Sequence, residues 1–271
     1  MTSETLDPTA IAEDLRTAAL PQTIRCYEAV GSTMDVARDL LRTLPADALP
    51  LLVVADVQTA GRGRMGRPWE APAGSALLMS LAFRPTWLPP EHGPALVWMA
   101  AVALCEAIEM IGPLRPSLKW PNDVMLAQQG GGLAKAAGLL LEVSTGAAGI
   151  EWAIIGCGVN VSAAPPSERL RYPATSLVAA SGRPVSRLEL LRALLRRLDA
   201  WHARLARGER DGLFAAWRGR LSTIGQEVLV ETPGGPVRGL AEDVDARGSL
   251  LVREATGALR TVSAGDVGLL A

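Results

Sequence analysis

Leu51-Leu52-Val53-Val54-Ala55-Asp56-Val57, Gly61-Arg62-Gly63-Arg64-Met65-Gly66-Arg67 and Ala76-Leu77-Leu78-Met79-Ser80-Leu81-Ala82-Phe83 follow one another, two apolar runs joined by a basic glycine loop. Each run has the length and near-continuous apolar content of a buried strand. The loop therefore hangs between two core strands. Its glycines keep the backbone flexible and open to close approach, and its three guanidiniums give it the make-up of an anion clamp. The same composition suits a solvated basic turn, and these residues alone leave both readings open. RNA-binding arginine-glycine tails differ in lying within low-complexity sequence.

Working outward, Ser32-Thr33-Met34-Asp35 precedes Val36, Leu40, Leu41 and Leu44, so a helix with one apolar face is expected from an N-cap at Ser32. Ala95 to Ile111 reads as a long buried helix ended by Gly112-Pro113, and Lys119 closes a short strand after it. Three strands follow near Val124–Ala127, Ala137–Val143 and Trp152–Val159, with Gly130-Gly131-Gly132 turning between the first two. Ser186-Arg187-Leu188-Glu189 is a capping box opening a helix to about Ala206, and a shorter helix lies around Leu213 to Trp217. Beyond Leu221 come short pieces, Glu227–Val230, Val237–Leu240, Leu250–Arg253 and Arg260–Val262, separated by glycine turns, which suggests a small β-barrel. The expected division is 1–220 and 221–271.

At 271 residues and 49% hydrophobic content the chain can bury a substantial core. Its 27 basic and 28 acidic side chains leave a net charge of -1, so any anion site must be local. The acidic start MTSETLDPTAIAEDL lacks the basic end and apolar stretch of an export signal, and a cytoplasmic protein is expected. The longest apolar run, Ala95 to Cys105, stops at Glu106, short of the roughly 20 residues that cross a bilayer, so no membrane span is expected. Cys26, Cys105 and Cys157 lack metal-ligand spacing and read as buried free thiols.

Lys119-Trp120-Pro121-Asn122-Asp123 sets an ammonium, an amide and a carboxylate side by side, groups that suit phosphate and metal or merely make a Pro-Asn-Asp turn. Asn160, ending an apolar run, is either a site residue at a strand end or a turn residue, and Lys135 either a ligand or a solvated loop lysine. Asp56, Glu70, Glu142 and Glu151 could merely solvate strand edges. Among seven tryptophans, Trp69 and Trp120 lie in polar segments and are candidate site walls. The signatures of P-loop, dinucleotide-binding, serine-hydrolase and zinc-protease sites are absent.

In order, Gly31-Ser32-Thr33-Met34-Asp35, Gln58 to Trp69, Lys119-Trp120-Pro121-Asn122-Asp123, Lys135-Ala136-Ala137-Gly138 and Gly156-Cys157-Gly158-Val159-Asn160-Val161 resemble biotin–protein ligases over about Val30 to Leu177. The resemblance implies an α+β protein: a class II aminoacyl-tRNA synthetase-like catalytic domain with mixed β-sheet and flanking helices, then a small SH3-like β-barrel. It places biotin on Ser32, Thr33, Gln58, Gly61, Lys135 and Gly138, with Arg62 and Arg64 in a loop closing over biotin and its adenylate. It places ATP on Arg67, Trp69, Lys119, Asn122, Asp123 and Asn160, with Mg²⁺ bridging phosphates, its ligands unassigned. Arg64, Lys119 and Lys135 are the implied catalytic groups.

In the implied reaction biotin's carboxylate attacks the α-phosphorus of ATP and pyrophosphate leaves. A lysine of the biotin carboxyl carrier domain of an acyl-CoA or pyruvate carboxylase then takes the biotinyl group. The loop, Gly61 to Arg67, is expected to be surface-exposed, mobile and poorly ordered when empty. The Gln128–Gly132 stretch is longer and richer in glycine than the family pattern, and only about thirty residues precede Gly31, too few for a winged-helix domain. A repressor role and a DNA partner are therefore not expected; a monomer or weak homodimer is the expected assembly. The rival readings are a lipoate or octanoate ligase or transferase and, against the near-zero charge, a nucleic-acid-binding module.

Overall fold

The computed structural model describes residues 5–128, 131–147, 149–166 and 172–269. Gln129 and Gly130 of the glycine-rich stretch lie outside the described residues, as do 1–4 and 270–271 at the chain's two ends. In chain order the first strands are β1 (Thr23–Val30), β2 (Leu51–Gln58), β3 (Ala76–Phe83), β4 (Ser117–Lys119), β5 (Asp123–Ala127), β6 (Leu133–Gly146) and β7 (Gly149–Asn160). They form one sheet in the order β1-β2-β3-β7-β6-β5-β4. Only β1 and β2 pair in parallel, so the sheet is mixed. The two apolar runs are the antiparallel neighbours β2 and β3, Leu51 opposite Ala82. Every residue of β3 is buried.

The helices are α1 (Pro8–Ala12), α2 (Thr33–Leu41), α3 (Pro94–Ile111), α4 (Leu177–Ser181), α5 (Arg187–Ala206) and α6 (Arg210–Arg218). Alternation along β2 sends Leu52 and Val54 into the larger core with α3, α5 and α6, and Leu51 and Val53 into a smaller one with Met34, Ala37 and Leu41 of α2. The Pro90–Ile111 segment passes the length and hydropathy of a membrane span, against expectation. It is a core element, because α3 packs against α5 and α6 and its Glu106 accepts from Arg197 Nε (2.5 Å) and Trp201 Nε1 (3.0 Å) of α5. Ser186 caps α5, accepting from Glu189 N at 3.0 Å.

A second, antiparallel sheet holds β8 (Glu227–Thr232), β9 (Gly235–Val244), β10 (Leu250–Arg253), β11 (Leu259–Val262) and β12 (Asp266–Leu269) in the order β11-β10-β9-β8-β12. Val228, Val230 and Leu250 join the larger core, so its apolar cluster runs without a break from one sheet into the other. The four expected pieces are present, and β12 was not anticipated. Cys105 and Cys157 are buried as expected, whereas Cys26 on edge strand β1 is only half-buried.

Candidate active site

A cavity of about 470 Å³ opens under the glycine-arginine loop, lined by α2, β2, β5, β6, β7 and Asp266 of β12. Its floor is flat because Gly138 and Gly158 face each other across β6 and β7. A Cβ on Gly158 would lie 2.6 Å from the Trp69 indole, and one on Gly138 would lie 3.2 Å from it. Glycine at both positions lets the ring lie against the sheet. Trp69 Nε1 and Asn160 Oδ1 are buried without a hydrogen-bond partner among the described residues. An unsatisfied buried polar group costs about 1–3 kcal/mol, and both residues line the cavity.

One part of the cavity is neutral and polar. Thr33 donates to Gln58 Oε1 through its amide (2.8 Å) and hydroxyl (2.9 Å), and its hydroxyl also meets Ser80 Oγ at 2.8 Å. Ser32 occupies the N-cap position of α2 but makes no capping bond, and lines the cavity instead. Met34, Met79 and Leu140 add apolar wall. Cys157 also lines it, but burial pushes its thiol up to about 12, so it stays a neutral wall.

The other part gathers charge. Arg64 donates to Asn122 Oδ1 (3.4 Å) and to the Gly265 carbonyl (3.1 Å). Burial lowers its pKa, with Asp123 and Asp266 opposing, and a guanidinium stays cationic. Arg67 pairs with Asp266 at 2.5 Å, which raises its own pKa. Lys135 Nζ sits 2.7 Å from Asp123 and 5.7 Å from the centroid of the Trp69 ring. Asn122 is anchored by donating to the Leu139 carbonyl, and Asn160 Nδ2 by donating to the Thr175 carbonyl at 3.2 Å.

Of the expected residues, Ser32, Thr33, Gln58, Arg62, Arg64, Arg67, Trp69, Asn122, Asp123, Lys135, Gly138 and Asn160 all line this cavity. Gly61 and Lys119 stand behind it. Gly61 closes the loop's base by accepting from Trp69 N at 2.9 Å. Lys119 is buried with Nζ 3.2 Å from the centroid of the Tyr172 ring, and Tyr172 is the residue that lines the cavity.

The loop is laid down rather than exposed throughout: Arg62 bridges Pro68, Arg64–Gly66 forms a single tight turn, and only Met65 to Pro68 are exposed. Met65 takes the left-handed region (φ 57°) at the tip. Trp120 is no site wall, since its indole donates to the Gly248 carbonyl (2.8 Å) and ties the two sheets together. Asp56 and Glu142 hold Arg187 and Arg38, while Glu70 lines the cavity. Tyr172 and Asp266 were missed because an isolated Tyr and a lone Asp in the last strand carry no local pattern.

Comparison with known proteins agrees with this geometry. Residues 27–160 match the Biotin/lipoate A/B protein ligase family, and residues 223–270 the Biotin protein ligase C terminal domain. A biotin–[acetyl-CoA-carboxylase] ligase of Mycobacterium tuberculosis is 36% identical over 90% of this chain and 88% of its own. The structure of biotin protein ligase from Aquifex aeolicus in complex with biotin and ATP superposes with a TM-score of 0.75 at 26% identity, covering 92% of this chain and 98% of that one. That from Leishmania major in complex with biotinyl-5-AMP gives 0.60 at 26% identity, over 90% and 100%.

Proposed function

The chain belongs to the biotin protein ligases, and on that premise we propose that its cavity joins biotin to ATP and presents the acyl adenylate to a carrier lysine. The observation that carries this reading is that one cavity is lined both by a neutral hydroxyl-amide group, Ser32, Thr33 and Gln58, and by a charged group, Arg64, Arg67 and Lys135 with Asp123 and Asp266. Biotin's ureido ring is uncharged and needs hydroxyl, amide and backbone partners, which Ser32, Thr33 and Gln58 offer. Met34, Met79 and Leu140 suit the valerate tail.

The nucleotide falls to the cationic part, with Arg67, Trp69, Asn122, Asp123 and Asn160 around it and Lys119 acting from behind Tyr172. Attack of the biotin carboxylate on the α-phosphorus needs positioning and neutralisation of spreading negative charge, which Arg64, Lys135 and Lys119 supply. No enzyme nucleophile is required, in keeping with the neutral Cys157. No group of three or more His, Cys, Asp and Glu forms a metal cluster among the described residues. Asp123 and Glu70 line the cavity, and a Mg²⁺ carried on phosphates needs only one or two such carboxylates. Such an ion would neutralise phosphate charge. The closed loop keeps water from the mixed anhydride until the acceptor arrives.

The acceptor we propose is the biotin carboxyl carrier domain of a carboxylase, in the cytoplasm where ATP is available. The first sheet with its helices fits a class II aminoacyl-tRNA synthetase-like domain, and the five short antiparallel strands an SH3-like one. A division near Leu221 is supported by the second family match beginning at residue 223. The test is pyrophosphate release from ATP and Mg²⁺ with either biotin or lipoate. Release with biotin is expected, and release with lipoate alone would overturn the reading.

A further inference from the structure

Asp35, Arg38, Glu142 and Arg62 close a ring of alternating charge beside the cavity. Arg38 Nη1 lies 2.6 Å from Asp35 Oδ1, and its Nη2 pairs with Glu142. Glu142 Oε1 is 3.9 Å from Arg62 Nη2. Arg62 then grips Asp35 with both ends of its fork, Nη1 to Oδ2 at 2.5 Å and Nη2 to Oδ1 at 2.7 Å. The members come from α2, β6 and the base of the glycine-arginine loop, and Arg62 is the member that lines the cavity.

We propose that Asp35, Arg38 and Glu142 are positioning residues that fix the base of the loop through Arg62, so that Arg64 and Arg67 close over the acyl phosphate from a set hinge. This rests on the biotin ligase reading. Arg62 stands between Gly61, whose carbonyl accepts from Trp69 N at 2.9 Å, and Gly63, whose N–H donates to the Arg67 carbonyl at 2.7 Å, at the point where the loop closes on itself. A two-pronged arginine-carboxylate pair fixes direction as well as distance, which a lone charge would not. Two cations and two anions balance within the ring, so Arg62 acts as an anchor, and the phosphate charge falls to Arg64, Arg67 and the lysines. The ring side chains are 28–40% exposed, and ion pairs that wet add little to global stability, so the ring acts on the loop rather than on the fold.

The experiment uses the full chain with biotinyl-adenylate formed in place, and follows its release after a chase, with Asp35→Asn, Asp35→Glu and Asp39→Asn beside wild type. Asp39 is an exposed α2 acid outside the ring, paired with Arg42 at 3.4 Å. Asp35→Asn should release adenylate about tenfold faster, the factor worth about 1.4 kcal/mol, while melting stays within about 2 °C. Asp35→Glu should recover part of the loss and Asp39→Asn should match wild type. Wild-type release should quicken with added salt, and Asp35→Asn should show a weaker salt dependence. Unchanged release in Asp35→Asn, or equal acceleration in Asp39→Asn, overturns the ring while leaving the ligase reading intact. Failure of the wild type to form adenylate from biotin overturns both.

Discussion

Replacing Gly158 by alanine should damage ATP binding while sparing biotin. The added Cβ would lie 2.6 Å from Trp69 Cε2, 2.8 Å from Cζ2 and 2.9 Å from Nε1. Carbon contacts settle at about 3.5–4.0 Å, so the indole must shift by about 1 Å. The ring also overlies the neighbouring strand, where a Cβ built on Gly138 would lie 3.2 Å from it. The indole therefore rises into the cavity, carrying the unpartnered Nε1 away from its place on the wall. Overpacking of this kind costs about 1–3 kcal/mol, which at about 1.4 kcal/mol per tenfold predicts a rise in ATP KM of roughly five- to a hundredfold. The biotin contacts proposed at Thr33 and Gln58 do not include the ring, so biotin Kd without ATP should change less than about threefold. Pyrophosphate release against ATP concentration and calorimetric biotin binding measure the two. In a Trp69→Ala background the same alanine should cost nothing further, since nothing remains to collide. An unchanged ATP KM in folded Gly158→Ala protein, or an equal loss of biotin affinity, would refute the argument.

Gln58→Leu strips the acceptor from the Thr33 amide and hydroxyl, and at about 1–3 kcal/mol for an unsatisfied buried group it should weaken biotin roughly tenfold or more by calorimetry. Asp266→Asn removes the partner of Arg67 and should speed adenylate release, with a stability change of at most about 1 kcal/mol by urea titration because Arg67 is half exposed. The hydrogen bond from Arg62, outweighing partial burial and joined by Arg38, holds the Asp35 carboxyl at about 2 against the usual 3.8. A depressed folded pKa stabilises the fold above the unfolded value and loses that effect as pH falls through the folded one. Because the pair is partly exposed, the stability difference between wild type and Asp35→Asn should be small, at most about 0.5 kcal/mol, and what there is should persist at pH 5 and vanish between about pH 4 and pH 2 in urea melts.

The fold was legible where burial writes a pattern. β2, β3 and α3 are apolar almost throughout, and their limits in the structure fall within a residue or so of those read from sequence. β1 was not foreseen, because as an edge strand it carries Arg25 and Glu28 and shows no clean alternation. β6 runs well past Ala137–Val143 at both ends, since polar residues extend a hairpin once its ladder is set. The site was legible as motifs, but its partnerships were not. Nothing local in sequence tells that Arg62 turns to Asp35, that Lys119 lies behind Tyr172, or that Asp266, some two hundred residues along the chain, reaches Arg67. The glycines at 138 and 158 could be named, yet their purpose appears only when the ladder sets them face to face beneath Trp69.

The most direct test of the ligase assignment is the mass of an isolated biotin carboxyl carrier domain after incubation with this protein, ATP, Mg²⁺ and biotin. One biotinyl group on a single lysine is expected, lost when that lysine becomes arginine or when ATP is withheld. An unmodified carrier, with a lipoyl domain acylated in its place when lipoate is supplied, would contradict the assignment.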